Sequence, residues 1–217
     1  MSSARDEGAK VARYFDTHAE DFDSIYEQEK PAVRSLRDRL SRGTVVDRLR
    51  FVEDRARTWK PASVLDVGCG GGRFGVALAK LGAESVGLDF APEMLVIADR
   101  HAQEAGVADR CTWLAKDIFD WDPGRTFELT LGIGLLDYVD DPAAMMRRIA
   151  EVTDGHVVVS FPKLFHPLVP LRAVRLRRAG CPVHFYTRAQ VQKLADGALK
   201  RAEVISFKRD YLVVGEA

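Results

Sequence analysis

The sequence predicts an α/β fold with a doubly wound, mostly parallel sheet of seven strands, an antiparallel last strand and an N-terminal helical cap. Three observations predict it. Short β-branched runs alternate with amphipathic helical stretches from residue 60 onward, two strand-like runs near the C-terminus are separated by only a few residues, and residues 10–58 have helical character. We divide the 217-residue chain into a cap over residues 1–58 and a core over residues 59–217, with a lid inserted at about residues 162–186.

The N-terminal cap is predicted from helical periodicity. Val45, Leu49 and Val52 have the spacing of one helix face. The residues at 41–43, Ser-Arg-Gly, are expected to interrupt the helical stretch, because a glycine in such a cluster is typical of a break. We therefore expect more than one helix in the cap.

Seven runs are predicted as strands. The first five are separated by helical stretches and are expected to pair in parallel; they are residues 64–67, 85–90, 111–115, 127–133 and 157–161. The last two runs, at 203–207 and 210–214, are joined by so short a link that only antiparallel pairing is possible. This hairpin supplies the reversed last strand.

Three crossover helices are predicted between the strands. The first has an apolar stripe at i, i+3, i+4 and i+7 and is expected to end at Gly82. Its stripe consists of Phe74, Ala77, Leu78 and Leu81. Pro92 and Pro142 each suit a first helical turn, because proline lacks the N–H group that a helix start leaves unpaired. The buried face of the helix after Pro142 is expected to contain Met145, Ile149 and Val152.

The composition limits the classes of protein to consider. There are 32 Lys plus Arg and 32 Asp plus Glu residues, so the formal net charge is zero and no dominant binding to nucleic acid is expected. With 47% apolar and 29% charged residues, the chain has an ordinary globular composition. No stretch approaches the ~18 uncharged apolar residues of a membrane span, and the N-terminus lacks the apolar segment of a signal peptide. We expect a cytoplasmic protein.

The cysteines and histidines do not indicate a metal site. Cys69, Cys111 and Cys181 are odd in number and far apart, so free thiols are expected. The five histidines lack the spacing of metal ligands. No metal is therefore predicted.

A glycine-rich loop follows the first strand, in the segment Val-Leu-Asp-Val-Gly-Cys-Gly-Gly-Gly-Arg over residues 64–73. Glycines let the backbone turn sharply and let a ligand approach it closely. Asp89 ends the second strand and lies 19 residues after Gly70 (89 − 70), close to the ~20 expected for an acid that binds ribose hydroxyls. The spacing indicates an adenosine-containing ligand.

Two kinds of adenosine ligand remain open at this point. Residues 70–75 match the dinucleotide pattern GxGxxG, which favours a nicotinamide-dependent oxidoreductase. Asp66 on the preceding strand would repel a pyrophosphate, whereas it would attract a cationic ligand. Asp117, after the third strand, adds an acid where an adenine amino group could donate to it.

The spacing Asp66-x-Gly68-x-Gly70-x-Gly72, with Asp89 and Asp117 after it, resembles the successive motifs of class I S-adenosylmethionine-dependent methyltransferases. The resemblance covers roughly residues 60–161, and the C-terminal hairpin resembles that family's reversed last strand. It implies a Rossmann-like fold, S-adenosylmethionine as cofactor, and methyl transfer to a small-molecule acceptor by in-line displacement. A non-catalytic S-adenosylmethionine-binding protein stays open as an alternative.

The resemblance also implies roles for residues after the first two strands. Gly68, Cys69 and Gly70 would wrap the methionine and ribose parts of the cofactor through their backbone. Asp66 would hold the loop and, through water, the methionine end. Asp89 would bind the ribose hydroxyls.

A second group is implied to bind the adenine. Phe90 and Met94 would pack on the face of the ring, Asp117 would accept from its amino group, and the amide of Ile118 would donate to the ring. Each of these residues could equally serve packing or loop solvation alone. Three acids at the ends of three successive strands are nevertheless hard to obtain from packing alone, because ligands of open parallel sheets bind at that edge.

The end of the fourth strand is predicted to lie beside the methyl donor. The resemblance implies that the carbonyls of Gly132 and Ile133 bind the cofactor's amino group. Asp137 and Tyr138 stand where related enzymes often place residues facing the donor, and they are our candidate catalytic residues. We hypothesise that Asp137 orients or deprotonates the acceptor; alternatively it caps the next helix, although the acids at 140 and 141 are better placed for that.

The lid is strongly basic. Residues 155–195 contain no Asp or Glu. The cations of this 155–195 segment, which includes the lid, are Lys163, Arg172, Arg175, Arg177, Arg178, Arg188 and Lys193. One hypothesis is an anionic acceptor bearing carboxylate or phosphate. The other is internal pairing with the acids of the cap, which are Asp16, Glu20, Asp21, Asp23, Glu27 and Glu29.

The cap has a looser resemblance of its own. The segments Tyr14-Phe15-Asp16 and Ile25-Tyr26 resemble the N-termini of magnesium-protoporphyrin O-methyltransferases and of some natural-product methyltransferases. This resemblance implies that Tyr14 and Tyr26 fold over the cofactor. Packing of two aromatic side chains under a helix is equally consistent with it.

Overall fold

The computed structural model describes residues 36–167, 169–178 and 180–217. Its helices are α1 Leu36–Trp59, α2 Arg73–Lys80, α3 Pro92–Glu104, α4 Pro142–Glu151, α5 Val169–Arg178 and α6 Arg188–Asp196, with a 3₁₀ turn at Ala108–Arg110. Its strands are β1 Ser63–Val67, β2 Glu84–Leu88, β3 Cys111–Leu114, β4 Phe127–Gly132, β5 Thr153–Pro162, β6 Arg201–Phe207 and β7 Asp210–Glu216. The predicted strands are all present, and β5 begins four residues earlier than expected (157 − 153).

The seven strands form one sheet in the order β3-β2-β1-β4-β5-β7-β6. The first five strands of that order pair in parallel, whereas β7 is antiparallel to both of its neighbours. The predicted Rossmann-like fold with a reversed last strand is therefore confirmed. Because β1, β2, β3 and β4 are parallel, the loops after them meet at one edge of the sheet.

Helix α1 differs from the sequence prediction. It continues without interruption through residues 41–43, so the predicted break is wrong. A single glycine inside a helix costs only about 1 kcal/mol relative to alanine, and burial of a later turn offsets it. Val52 and Ala56 of that turn are buried and belong to a core cluster with Val64 of β1 and Leu78 of α2.

The crossover helices confirm most of the predicted contacts. In α2 the side chains of Phe74, Ala77 and Leu78 are buried, but Leu81 lies just beyond the helix and is 39% exposed, contrary to prediction. The helix ends one residue too early for Leu81 to point to the core. Pro92 and Pro142 begin α3 and α4 as expected. Met145 and Ile149 of α4 are buried as predicted, and so is Val152 directly after that helix.

The segment predicted as a lid begins and ends at neighbouring points. The Tyr186 amide donates to the Pro162 carbonyl at 2.9 Å, and the Leu164 amide donates to the Tyr186 carbonyl at 2.8 Å. Helix α5 lies between these points and buries Leu176. The division into cap, core and lid stays a prediction. Within the described ranges, no helix is both long and apolar enough to cross a membrane.

Candidate functional site

The glycine loop is tied to the end of β2. The amides of Gly68 and Cys69 both donate to the Leu88 carbonyl, at 2.8 and 2.9 Å. Gly68 and Gly70 have φ values of 70° and 51°, a left-handed conformation that glycine adopts without strain. The tight turn leaves backbone groups, rather than side chains, facing the edge of the sheet.

The glycines are also required by close packing. A Cβ atom on Gly72 would lie 2.6 Å from Cη2 of Trp113, and one on Gly70 would lie 3.1 Å from Cε of Met94. A Cβ atom on Gly75 would lie 2.7 Å from Oγ of Ser85. The last glycine of the dinucleotide-like pattern is therefore accounted for by the contact of α2 with the sheet.

Asp89 connects the loop to the start of α3. Its Oδ2 accepts from the Gly70 amide at 2.8 Å, and its Oδ1 accepts from the Ala91 amide at 2.9 Å. The two amides fix the orientation of this carboxylate at the end of β2.

Asp66 is a buried carboxyl group beside Asp89. Its side chain is 2% exposed. Burial, and then the negative charge of Asp89, raise its pKa to about 7, while a hydrogen bond from the Gly75 amide opposes the shift. Among the residues that the structure describes, its Oδ2 has no hydrogen-bond partner. A cation in the cleft would favour the ionised carboxylate, so this site suits a positively charged ligand.

Cys69 contributes through its backbone. Its thiol is buried, and burial together with the charges of Asp66 and Asp89 raises its pKa. The thiol therefore stays protonated and is a poor nucleophile. In the described part of the chain Cys69, Cys111 and Cys181 are thiols that form no disulfide bond.

The residues predicted to bind adenine gather beyond β2 and β3. The Asp89 amide donates to the Leu114 carbonyl at 3.2 Å, which joins the ends of these strands. Phe90 is 47% exposed, whereas Met94 is buried beneath Gly70. Asp117 is half-buried, and its Oδ1 accepts from the Phe119 amide at 2.9 Å. Ile118 has a buried side chain.

The end of β4 lies next to β1. Leu131 pairs with Asp66, so Gly132 and Ile133 follow directly at the edge that carries the acids. The amide of Gly134 donates to Oγ of Ser160 at 2.7 Å, which fixes the turn after them. Both residues whose carbonyls are predicted to accept from the cofactor's amino group thus lie at the shared edge.

Asp137 is 3% exposed and lies after β4. Helix α4 is capped by Asp141, whose Oδ1 accepts from the Ala144 amide at 2.9 Å. The alternative that Asp137 caps this helix is therefore wrong. Tyr138 is half-buried in the same turn, and its amide donates to the Leu135 carbonyl at 3.0 Å.

The lid supplies neighbours of Asp137 that sequence reasoning missed. The His184 amide donates to the Asp137 carbonyl at 2.8 Å, and the His184 ring is 3.1 Å from Oδ1 of Asp140. Tyr186 donates to the Leu136 carbonyl at 3.0 Å, and burial, then the charges of Asp137 and Asp140, raise its pKa. No sequence pattern indicates a contact between residues that lie about 50 positions apart. The sequence alone therefore could not predict this cluster.

A second missed contact joins the cap helix to the sheet. Nε of Arg48 donates to Oδ2 of the buried Asp210 at 3.0 Å, and a Cβ atom on Gly134 would lie 3.8 Å from Arg48 Nη1. Lys208 pairs with Asp47. Helix α1 therefore contacts the start of β7 and lies near the turn that follows β4.

Several predicted features lie outside the described residues. These include Tyr14, Tyr26 and the acids of the cap between residues 16 and 29. Of the side chains described, no group of three or more His, Cys, Asp or Glu residues is arranged to hold a metal ion.

Comparison with known proteins decides the family. The sequence profile described as "Methyltransferase domain" matches residues 64–155, which includes the loop and all three acids. Residues 64–155 therefore match a methyltransferase domain, and their motifs are those of class I S-adenosylmethionine-dependent methyltransferases. This match implies S-adenosylmethionine as the cofactor, and the buried acid and glycine cradle described above fit a cationic donor.

The curated relatives match the chain in part. It is 36% identical over 127 residues to a ubiquinone biosynthesis O-methyltransferase of Azorhizobium caulinodans, covering 52% of this chain and 49% of that protein. A protein of the same name from Xanthomonas euvesicatoria is 37% identical over 106 residues, covering 48% of this chain and 44% of that protein. The chain thus spans about half the length of the curated relatives it matches.

A solved structure resembles the chain over nearly its full length. Magnesium protoporphyrin IX methyltransferase from Synechocystis PCC 6803, with SAH bound, aligns with a TM-score of 0.74 and 20% identity. The alignment covers 95% of this chain and 96% of that one. At this level of identity the likeness supports the fold alone.

Proposed function

We propose that this protein transfers a methyl group from S-adenosylmethionine to a small-molecule acceptor by in-line displacement. The observation that carries the proposal is the paired placement of Asp66 and Asp89 around the glycine loop, with Oδ2 of Asp66 buried and lacking a hydrogen bond within the described part of the chain. When both are ionised, a buried carboxylate beside a second one is unfavourable unless a cation binds near them. The negative charge of a pyrophosphate would increase the repulsion.

Each cofactor residue has a defined task in this proposal. Asp89 accepts from the ribose hydroxyls, and Asp66 places negative charge near the methionine end. The amides of Gly68, Cys69 and Gly70 line the cleft without side-chain bulk. Bound S-adenosylmethionine supplies an electrophilic methyl group, so the chain's main task is to hold an acceptor in line with it and to exclude water.

The remaining cofactor contacts complete the pocket. Phe90 offers an exposed ring to the adenine face, and Met94 lies behind the loop. Asp117 and the Ile118 amide form hydrogen bonds with the edge of the base. The carbonyls of Gly132, the last residue of β4, and of Ile133, which follows it, accept from the amino group.

Asp137 is our proposed general base or orienting group for the acceptor. It is buried after β4 and lies under the lid residues His184 and Tyr186. The relatives named as O-methyltransferases favour an oxygen acceptor, and a hydroxyl acceptor benefits from a base. Tyr138, in the same turn, would help to position the acceptor.

An anionic acceptor is the finer proposal. Burial is the largest cause that lowers the pKa of His166; the charges of Arg209 and Lys163 lower it further, and the charge of Asp210 opposes them. The two cations near the point where the lid leaves β5 support this proposal. Internal neutralisation by the acids of the cap is the competing account. Changing Arg175 and Arg178 to Glu should raise KM for an anionic acceptor at low salt, whereas an unchanged KM would favour the competing account.

The direct test of activity is transfer of labelled methyl groups to fractionated extracts of the source cell. A labelled small molecule, formed by the wild-type protein and not by Asp89→Ala, would support the proposal and reveal the acceptor. Glu104→Ala, an exposed acid on α3, is the matched control and should transfer normally. Binding of the cofactor without transfer to any fraction would instead indicate a non-catalytic binding protein. The cytoplasmic location and the lack of nucleic-acid partners stay predictions.

A further inference from the structure

Arg148 of α4 holds the loop that follows β3. Its Nε donates to the Ile118 carbonyl at 2.9 Å, and its Nη2 donates to the Trp121 carbonyl at 2.8 Å. Its third nitrogen, Nη1, is 3.2 Å from Oε2 of Glu151. The guanidinium therefore spans two carbonyls of one loop while α4 fixes its own position.

The backbone of this loop is not held by the regular hydrogen bonds of a helix or a sheet. Residues 115–123 contain neither helix nor strand, yet Asp117 and Ile118 within them form the proposed adenine site. The side chain of Ile118 is anchored in the core, but a side-chain anchor alone does not orient the peptide groups on either side of it. Orientation requires hydrogen bonds to those groups.

The contact with Ile118 acts on Asp117 through one peptide group. The Ile118 carbonyl and the Phe119 amide belong to the same planar unit. The carbonyl accepts from Arg148, and the amide donates to Oδ1 of Asp117 at 2.9 Å. A charged donor on the carbonyl polarises the peptide and strengthens its N–H as a donor. Arg148 thus acts on the carboxylate of Asp117 indirectly, through this peptide group.

We propose that Arg148 is a positioning residue for base recognition: by fixing the 118–119 peptide, it sets the carboxylate of Asp117 to accept from the amino group of adenine. This inference rests on the proposed function, because it requires an adenosine ligand in the cleft. It goes beyond that function by assigning selectivity for the base to a residue on a helix that does not line the cofactor loop.

The test compares two ligands that differ at the amino group. S-adenosylhomocysteine carries it, whereas S-inosylhomocysteine has a carbonyl oxygen in its place, so the donor proposed to face Asp117 is replaced by an acceptor. Calorimetric titration of the wild-type protein should give at least about tenfold tighter binding of the adenosine form, the size expected when a charged acceptor loses its donor. Arg148→Met should weaken S-adenosylhomocysteine binding by about tenfold and S-inosylhomocysteine binding much less, so that the preference nearly disappears.

Two further variants sharpen the comparison. Arg147→Met changes the adjacent, exposed arginine of α4 and should leave both affinities unchanged. Arg148→Lys keeps the charge but lacks the planar fork that reaches two carbonyls, so it should retain part of the preference. If Arg148→Met does not fold, as judged by its thermal transition, the comparison is made with Arg148→Lys. A reduced preference for the adenosine form in that variant supports the inference, and an unchanged preference overturns it.

The possible results separate this inference from the proposed function. Wild-type binding of S-adenosylhomocysteine, with the preference unchanged in the Arg148 variants, overturns this inference alone. Equal losses for both ligands in Arg148→Met also overturn it, since they indicate a general loosening of the loop. A wild-type protein that binds both ligands equally overturns it as well. A folded wild-type protein that binds neither contradicts the proposed function and this inference together.

Discussion

Asp89 raises the pKa of Asp66, and both carboxyl groups lie at the ends of adjacent strands around one glycine loop. Asp89 is satisfied by two backbone amides, whereas Asp66 is buried and has only the Gly75 amide opposing its shift. The cleft is therefore electrostatically unfavourable by itself at high pH. A positively charged ligand would relieve it, and this is the physical basis of the proposed cofactor site.

Asp66 should make stability depend on pH. Its pKa of about 7 in the folded protein is above the ordinary value of 3.8, so the folded state holds a proton that the unfolded state has lost between these values. Stability from this group should fall as pH rises from about 4 to 7, by up to about 1.4 kcal/mol per pH unit. Urea unfolding of the wild type and Asp66→Asn over this range measures it. Identical slopes for the two proteins would contradict the raised pKa.

Ligand binding should release a proton from Asp66 near neutral pH. A cationic ligand lowers the pKa of a neighbouring carboxyl group, so S-adenosylmethionine should displace a fraction of a proton at pH 7. Calorimetry in two buffers of different ionisation enthalpy measures the release. Asp66→Asn should abolish it, and a wild-type protein that releases no proton would mean that the cation lies elsewhere.

Gly72→Ala should destabilise the protein by about 1–3 kcal/mol, because its Cβ atom would overlap Trp113 and Ala98. Gly106→Ala is the matched control. Gly106 has a φ of 68° against 70° for Gly72, but its Cβ atom would meet nothing within 4 Å. Chemical unfolding should show the larger loss for Gly72→Ala; equal losses would indicate backbone strain alone.

Arg48→Met should destabilise the fold by about 3 kcal/mol, because it leaves the buried carboxylate of Asp210 without the guanidinium. The exposed pair of Arg125 and Glu84 provides the comparison. Arg125→Met should change the free energy of unfolding by less than about 1 kcal/mol. A small effect of Arg48→Met would mean that the cap helix does not depend on this ion pair.

Asp137→Asn should reduce kcat by about 10²–10⁴ when the acceptor is a hydroxyl, and should leave the affinity for S-adenosylhomocysteine nearly unchanged. Steady-state kinetics with the acceptor found in the labelling experiment measures the first quantity, and calorimetry the second. Asp122→Asn, an exposed loop acid, is the control. Undiminished turnover by Asp137→Asn would remove its proposed role.

The sheet was predictable because its signals are local. β-branched runs, turn residues and the short link before β7 each act within a few positions, and the spacing of Asp66, Gly70 and Asp89 follows from adjacent parallel strands. The wrong prediction at residues 41–43 has a tertiary cause, since the packing of Val52 and Ala56 outweighs the poor helix propensity of one glycine.

The contacts that support the site were not predictable. Arg148 lies 30 residues after Ile118, and His184 lies 44 residues after Asp140, so each pair depends on how helices and lid pack. An arginine on an amphipathic helix gives no sign in the sequence that it will bind two carbonyls of a distant loop. The motif residues were found from spacing, whereas the residues that orient them required coordinates.

The central claim is most directly tested by calorimetric titration with S-adenosylhomocysteine and with NAD. The account predicts that the wild-type protein binds S-adenosylhomocysteine, that Asp89→Ala loses this binding while Glu104→Ala keeps it, and that NAD does not bind. Tight binding of NAD, or S-adenosylhomocysteine affinity that survives in Asp89→Ala, would contradict it.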